Sequence, residues 1–263
     1  MAVDMAQLTD DLAAESGDLF RLLSRLEVDD WDRPTPAAPW TIRDQVTHLA
    51  FFDDISTLAA TDVARFEREA TELTALGEDF AAVVAQRRQD RAGPVAAAWL
   101  QRSRSEYLQV FRGLSPSQTL PWFGPPMSAA SSVTARLMET WAHGQDIADT
   151  VQVGRTPTSR LRHVAHLGVR TLAWSFTVQG RPAPDRAVRV ELAGPDGETW
   201  RWGPEDAEDR VLGSAEEFCL VATQRRHRGQ TGLQATGPVA TAWLDIAQAY
   251  AGPPGPGRPP GGR

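Results

Sequence analysis

The chain has no lysine: all 27 of its basic residues are arginine. It has one cysteine, Cys219, in 263 residues. An internal disulfide is therefore excluded, and nothing points to an oxidising compartment. No apolar run approaches the roughly 20 residues needed to cross a bilayer. The N-terminal stretch Met-Ala-Val-Asp-Met-Ala-Gln is acidic and lacks the apolar core of a secretory signal. A basic balance is also missing. The formal net charge is -7, which argues against general nucleic-acid binding while leaving room for a local basic pocket. The expectation is a cytoplasmic protein with no nucleic-acid partner and no membrane partner. No internal repeat is present.

What is there is an ordinary globular composition, 41% hydrophobic and 23% charged. The length suits two domains and can bury a core without staples. Asp4 to Leu26 carries leucines at helical spacing with acids early, and predicts a first helix. Three prolines between Asp30 and Pro39 predict a loop. Thr41 and Asp44 form a capping-box signal that opens a second helix to about Ala60. Asp62 to Arg91 reads as a charged helix with an apolar stripe. Gly93-Pro94 breaks it and starts another, to about Arg112. Leu120 to Met127 is a rigid apolar loop. A central helix covers Arg136 to Asp149, and a further one runs from about Thr158 to Phe176.

The pattern then changes. Ala187 to Leu192 and Glu198 to Trp202 alternate with period two around a Pro-Asp-Gly turn, and predict a hairpin. Ser214 to Arg226 reads as a helix capped by Ser214, Gly232 to Gly237 as a short strand, and Pro238 to Tyr250 as a last helix. The fold class is mainly α plus a small α+β part. The division expected is a helical domain over 1–178, a small α+β domain over 186–251, and a Pro/Gly-rich disordered tail over 252–263.

The central helix carries the chemistry. Glu139 and His143 are four residues apart, so they share a face with Cβ atoms about 5–6 Å apart. His48 falls on the apolar side of the second helix. Two imidazoles and a carboxylate that leave a position open are the donor set of a catalytic divalent-metal site. The same residues also suit a plain hydrogen-bonded pair and a satisfied core histidine. Asp146, on nearly the same face, is either a partner orienting a ligand or an ordinary hydrogen-bonding aspartate. Arg225 and Arg226 either grip a substrate carboxylate or complement a helix dipole. Trp122 and Met127, just before the site helix, are expected to wall the mouth of the site. His163 and His166 read as structural, and Cys219 as a buried hydrophobe.

The segments Trp40-Thr-Ile-Arg-Asp-Gln-Val-Thr-His48 and Glu139-Thr-Trp-Ala-His143-Gly-Gln-Asp resemble the metal-binding signatures of the DinB superfamily. More narrowly they resemble its mycothiol-dependent maleylpyruvate isomerase group. His48, Glu139 and His143 match the three positions that hold a divalent metal there, usually zinc. Val211 to Arg226 resembles the sterol-carrier-like C-terminal domain of that group. Trp122 to Met127 and the Ala-Gly-Pro-Pro-Gly ending are similar to an actinobacterial subgroup described mostly as metal-binding proteins. The resemblance implies an up-down helix bundle followed by a small sterol-carrier-like α+β domain. It implies zinc as the metal, mycothiol as co-substrate and a small electrophile as substrate, in thiol transfer or cis–trans isomerisation. A thiol-independent metal hydrolase or lyase, and a non-catalytic metal- and ligand-binding protein, are the alternatives. The protein is expected to be a monomer or a homodimer.

Overall fold

The computed structural model describes residues 3–77, 80, 83–84 and 92–261. The chain divides into two compact units, Met1–Gly154 and Arg155–Arg263.

The first unit is helical. Helix α1, Met5–Leu23, starts where the Asp4 carboxylate accepts from the Ala6 amide at 2.9 Å, and it buries Leu8, Leu12, Leu19 and Leu23. A 3₁₀ turn, Val28–Asp32, precedes α2, Ile42–Thr61. The capping box anticipated at the start of α2 is present: Asp44 accepts from the Thr41 amide at 2.9 Å, and Thr41 caps Asp44 in return. Helix α3, Val63–Thr74, is mostly exposed and buries Phe66. Helix α4, Gly93–Arg112, begins at a close approach to Trp31, since a Cβ on Gly93 would lie 2.0 Å from that indole. A two-stranded hairpin, β1 (Thr119–Leu120) and β2 (Met127–Ser128), then feeds α5, Ala129–Val151.

Helices α1, α5, α2 and α4 contact one another in a closed ring, α1–α5, α5–α2, α2–α4 and α4–α1. Ile42, Val46, Leu49, Ala50 and Ile147 are fully buried in its core. Each large aliphatic side chain so buried contributes about 1.5–3 kcal/mol, and this holds α2 and α5 face to face.

The second unit carries α6 (Leu161–Arg170), α7 (Leu172–Val178), a mixed sheet, α8 (Ala215–Ala222) and α9 (Pro238–Ile246). The sheet order is β4-β3-β5-β6, with β3 Val188–Ala193, β4 Thr199–Trp202, β5 Asp209–Ser214 and β6 Gln234–Thr236. β3 pairs antiparallel with β4 as the hairpin signal implied, and parallel with β5. Val190, Leu192, Val211, Phe218 and Trp243 are completely buried.

Several expectations need correction. The helical periodicity puts the first domain over 1–178, whereas the first compact unit by contacts ends at Gly154. Helix α6 packs instead on α8, where a Cβ on Gly168 would lie 3.0 Å from both Ala222 and Phe218. The helix expected from Thr158 to Phe176 breaks at Thr171. Strand β5, Asp209–Ser214, has no counterpart among the strands the alternation predicts. The helix expected over Ser214–Arg226 stops at Ala222, and Gln224 takes a left-handed φ of 59°. In the Pro/Gly-rich tail the Gly255 amide donates to Gln248 at 2.9 Å and the Gly257 amide to Gln224 at 3.3 Å. Of the charged helix expected over Asp62–Arg91, α3 is present, and most of the stretch 78–91 lies outside the described residues.

Candidate metal centre

Helix α2 supplies His48 and α5 supplies Glu139 and His143. The Nε2 of His143 lies 3.0 Å from Glu139 Oε2, and the Nε2 of His48 lies 3.4 Å from the same oxygen. One ligand atom from each residue lies within 4.8 Å of the others. Donors bound tetrahedrally at about 2.1 Å stand about 3.4 Å apart, so the donor set and its spacing fit one divalent ion. Side-chain exposures of 12% for His48, 21% for Glu139 and 9% for His143 put the cluster at the edge of the core, with its carboxylate nearest solvent.

The surroundings fix the two rings. Trp40 stacks on His143, with centroids 5.6 Å apart and planes 7° from parallel, and lies 4.9 Å from His48. Phe52 covers His48 from 4.7 Å. Burial pushes the pKa of His48 down to about 4. Burial acts on Glu139 in the opposite direction and would raise it, but its bonds with His143 and His48 outweigh that and hold the carboxyl well below its usual range. His48 is therefore disposed to be neutral and Glu139 to be ionised, the forms in which imidazole and carboxylate ligate metal.

Beneath the cluster lies a buried ionic network. Asp53 is fully buried and receives Arg104 through two bonds, at 2.7 and 3.1 Å, and Arg136 through one at 3.0 Å. Arg104 continues to Thr140 at 3.0 Å and to Ser16, and Arg136 to the Leu49 carbonyl at 3.1 Å. Arg136 also lies over the Phe52 ring at 5.9 Å. This network joins α1, α2, α4 and α5 beneath the candidate ligands.

The other candidate residues fall in different places. Asp146 is fully buried on α5, one turn past His143. The partner found for His143 Nδ1 is Gln45, one turn before His48 on α2. Trp122 reaches the site at one remove, 6.1 Å from Phe52. Met127 pairs with Leu120 in the β1–β2 hairpin. Arg225 and Arg226 belong to the second unit, where Arg225 donates to the Thr223 carbonyl at 2.6 Å and Arg226 to the Arg225 carbonyl at 2.7 Å. Arg226 also lines a cavity of about 640 Å³ with Val221, Arg228, Leu244, Asp245 and the tail. Its walls mix charged and apolar side chains. Gln45, Trp40 and the Asp53 network were not recognised from sequence. For Gln45 the available signal was its i, i+3 spacing to His48; for the network there was none.

Fold and site together define a helix-bundle protein with a His/Glu/His centre, followed by a small α+β unit. Residues 12–148, a span that includes all three candidate ligands, match the model of the mycothiol maleylpyruvate isomerase N-terminal domain. This match covers more than half of the chain, and the chain belongs to that family. Residues 184–232 match a second model, described as wyosine base formation. An uncharacterized protein of Mycobacterium tuberculosis, found in strains CDC 1551 and H37Rv, is 47% identical over 251 residues, spanning 94% of this chain and 96% of the relative. Two crystal structures of mycothiol-dependent maleylpyruvate isomerase share the fold, each covering 90% of this chain and 96% of the other. A histidine-to-alanine mutant gives a TM-score of 0.59 at 16% identity. The second structure gives 0.54 at 15%. Among the described residues no helix is long and apolar enough to cross a membrane.

Proposed function

We propose that the chain is a divalent-metal-dependent thiol enzyme, with zinc held by His48, Glu139 and His143 and mycothiol as the thiol. Its reaction is transfer of the thiol to a small electrophile or cis–trans isomerisation of one. The convergence of two imidazole nitrogens on one carboxylate oxygen from helices distant in sequence carries this reading. Family membership supports the thiol, because the family's description names mycothiol.

When bound, the metal supplies a positive charge that lowers the pKa of a coordinated thiol, so that thiolate is available at neutral pH. The protein's own contribution is to hold the donors and exclude water. Trp40 and Phe52 close the faces of the two imidazoles. Glu139, the most exposed of the three, marks the side from which a small molecule enters. The Arg104–Asp53–Arg136 network holds α2 and α5 in register beneath the donors. Purified protein incubated with mycothiol and a panel of small α,β-unsaturated or halogenated acids tests the reading. Thiol-dependent turnover that a chelator abolishes is expected. Metal-dependent turnover without thiol, or none on any electrophile, contradicts it.

A further inference from the structure

The two histidines of the centre are not equivalent. Nδ1 of His143 meets Oε1 of Gln45. On its other side, the Gln45 amide nitrogen donates to Thr35 Oγ1 at 2.8 Å. The Thr35 hydroxyl proton is itself committed to the Trp40 carbonyl, at 2.8 Å. Thr35 can therefore only accept from Gln45, which turns the amide oxygen of Gln45 toward His143. An amide oxygen facing Nδ1 requires a proton on Nδ1, and that leaves the Nε2 lone pair for a ligand. Gln45 and Thr35 are buried, so water does not compete for these bonds. His48 has no such support: its Nδ1 is buried and makes no hydrogen bond among the described residues. Ligation through Nε2 would place a proton on that nitrogen, with no acceptor to receive it.

We propose that Gln45 is the positioning residue of the centre. It selects the tautomer of His143 that exposes a bare Nε2, making His143 the anchoring ligand and His48 the weaker one. The proposal rests on the metal reading of the site and adds a ranking within it. The wider chain Trp40–Thr35–Gln45–His143 then links the loop before α2 to the ligand set, so that the loop and the ligands are ordered together.

The test is zinc affinity of the metal-stripped full chain, measured by competition with a chelating dye. Gln45→Leu removes the acceptor and is expected to weaken zinc about 10- to 100-fold. Gln45→Glu keeps an oxygen facing Nδ1 and should retain most of the affinity. Thr35→Val leaves Gln45 in place but frees its amide to rotate, giving an intermediate loss even if Gln45→Leu folds poorly. His143→Ala should lose more affinity than His48→Ala. In the zinc-loaded protein, the imidazole ¹H–¹⁵N spectrum should show a slowly exchanging proton on His143 Nδ1 that Gln45→Leu loses. A merely structural role for Gln45 would lower stability without changing that signal. The proposal is overturned if Gln45→Leu binds zinc like wild type, if Gln45→Glu falls as far as Gln45→Leu, or if His143 carries its proton on Nε2. A wild-type chain that binds no zinc removes the metal reading as well, so the two failures are distinguishable.

Discussion

Nε2 of His48 lies 3.4 Å from Oε2 of Glu139, although 91 residues separate them in the chain. Local sequence cannot bring these groups together. Their meeting depends on the apolar contact of α2 with α5 and on Asp53, which stands five residues beyond His48 and binds Arg136, three residues before Glu139. The ionic network and the ligand cluster are successive layers of one helix interface, so they can be perturbed separately.

Asp53→Ala tests the lower layer. It leaves two buried guanidinium groups without their shared anion. Removing one partner of a buried ion pair costs about 3–5 kcal/mol, because the remaining charge is uncompensated. Urea denaturation of the metal-stripped protein should show a loss of that size. A loss below about 1 kcal/mol, the range of exposed pairs, would mean that the network does not hold the bundle.

Acid should destabilise the metal-stripped protein through His48. Its pKa is lowered by burial from 6.5 to about 4 in the folded state. Between these values the unfolded chain binds a proton at this group and the folded chain does not, so unfolding is favoured as pH falls. The stability contributed by neutral His48 is intact above pH 6.5, is lost progressively down to about 4, and changes no further below that. Glu139, held well below its usual range, adds an effect of the same sign at lower pH. Urea midpoints across this window should fall more steeply for wild type than for His48→Phe. Equal slopes would contradict the burial argument.

Cys219 should be inert in the folded protein. It is fully buried, its Sγ faces the Leu161 carbonyl at 3.5 Å, and burial pushes its thiol pKa well above the usual value. A thiol-reactive disulfide reagent should release no signal at neutral pH until denaturant is added, and one equivalent then. Rapid labelling of the native chain would show that the second unit opens around α8.

Much of the fold was legible because its signals are local. The leucine spacing of α1, the Thr41–Asp44 box of α2 and the alternation of β3 and β4 each occupy one window of sequence. Strand β5 escaped because its pattern is interrupted at both ends. It opens on Asp209, buried because its carboxylate caps α9 by accepting from Val239 and Ala240 at 2.7 and 3.0 Å. It closes through Gly213. The division at Gly154 escaped because helical periodicity does not say which partner a helix packs on, and α6 turns to α8. The candidate ligand cluster was legible through the i, i+4 pair and through family resemblance. The support for His143 was not, because Gln45 meets it only once α2 and α5 are docked.

The most direct measurement is metal content of the purified chain by mass spectrometry, beside a His48→Ala/Glu139→Gln/His143→Ala triple variant. With circular dichroism confirming that both remain helical, wild type should carry about one zinc per chain, as expected for a single three-ligand site, and the triple variant essentially none. Equal metal content in the two proteins would contradict the assignment of His48, Glu139 and His143 as the ligands, and with it the thiol chemistry built on them.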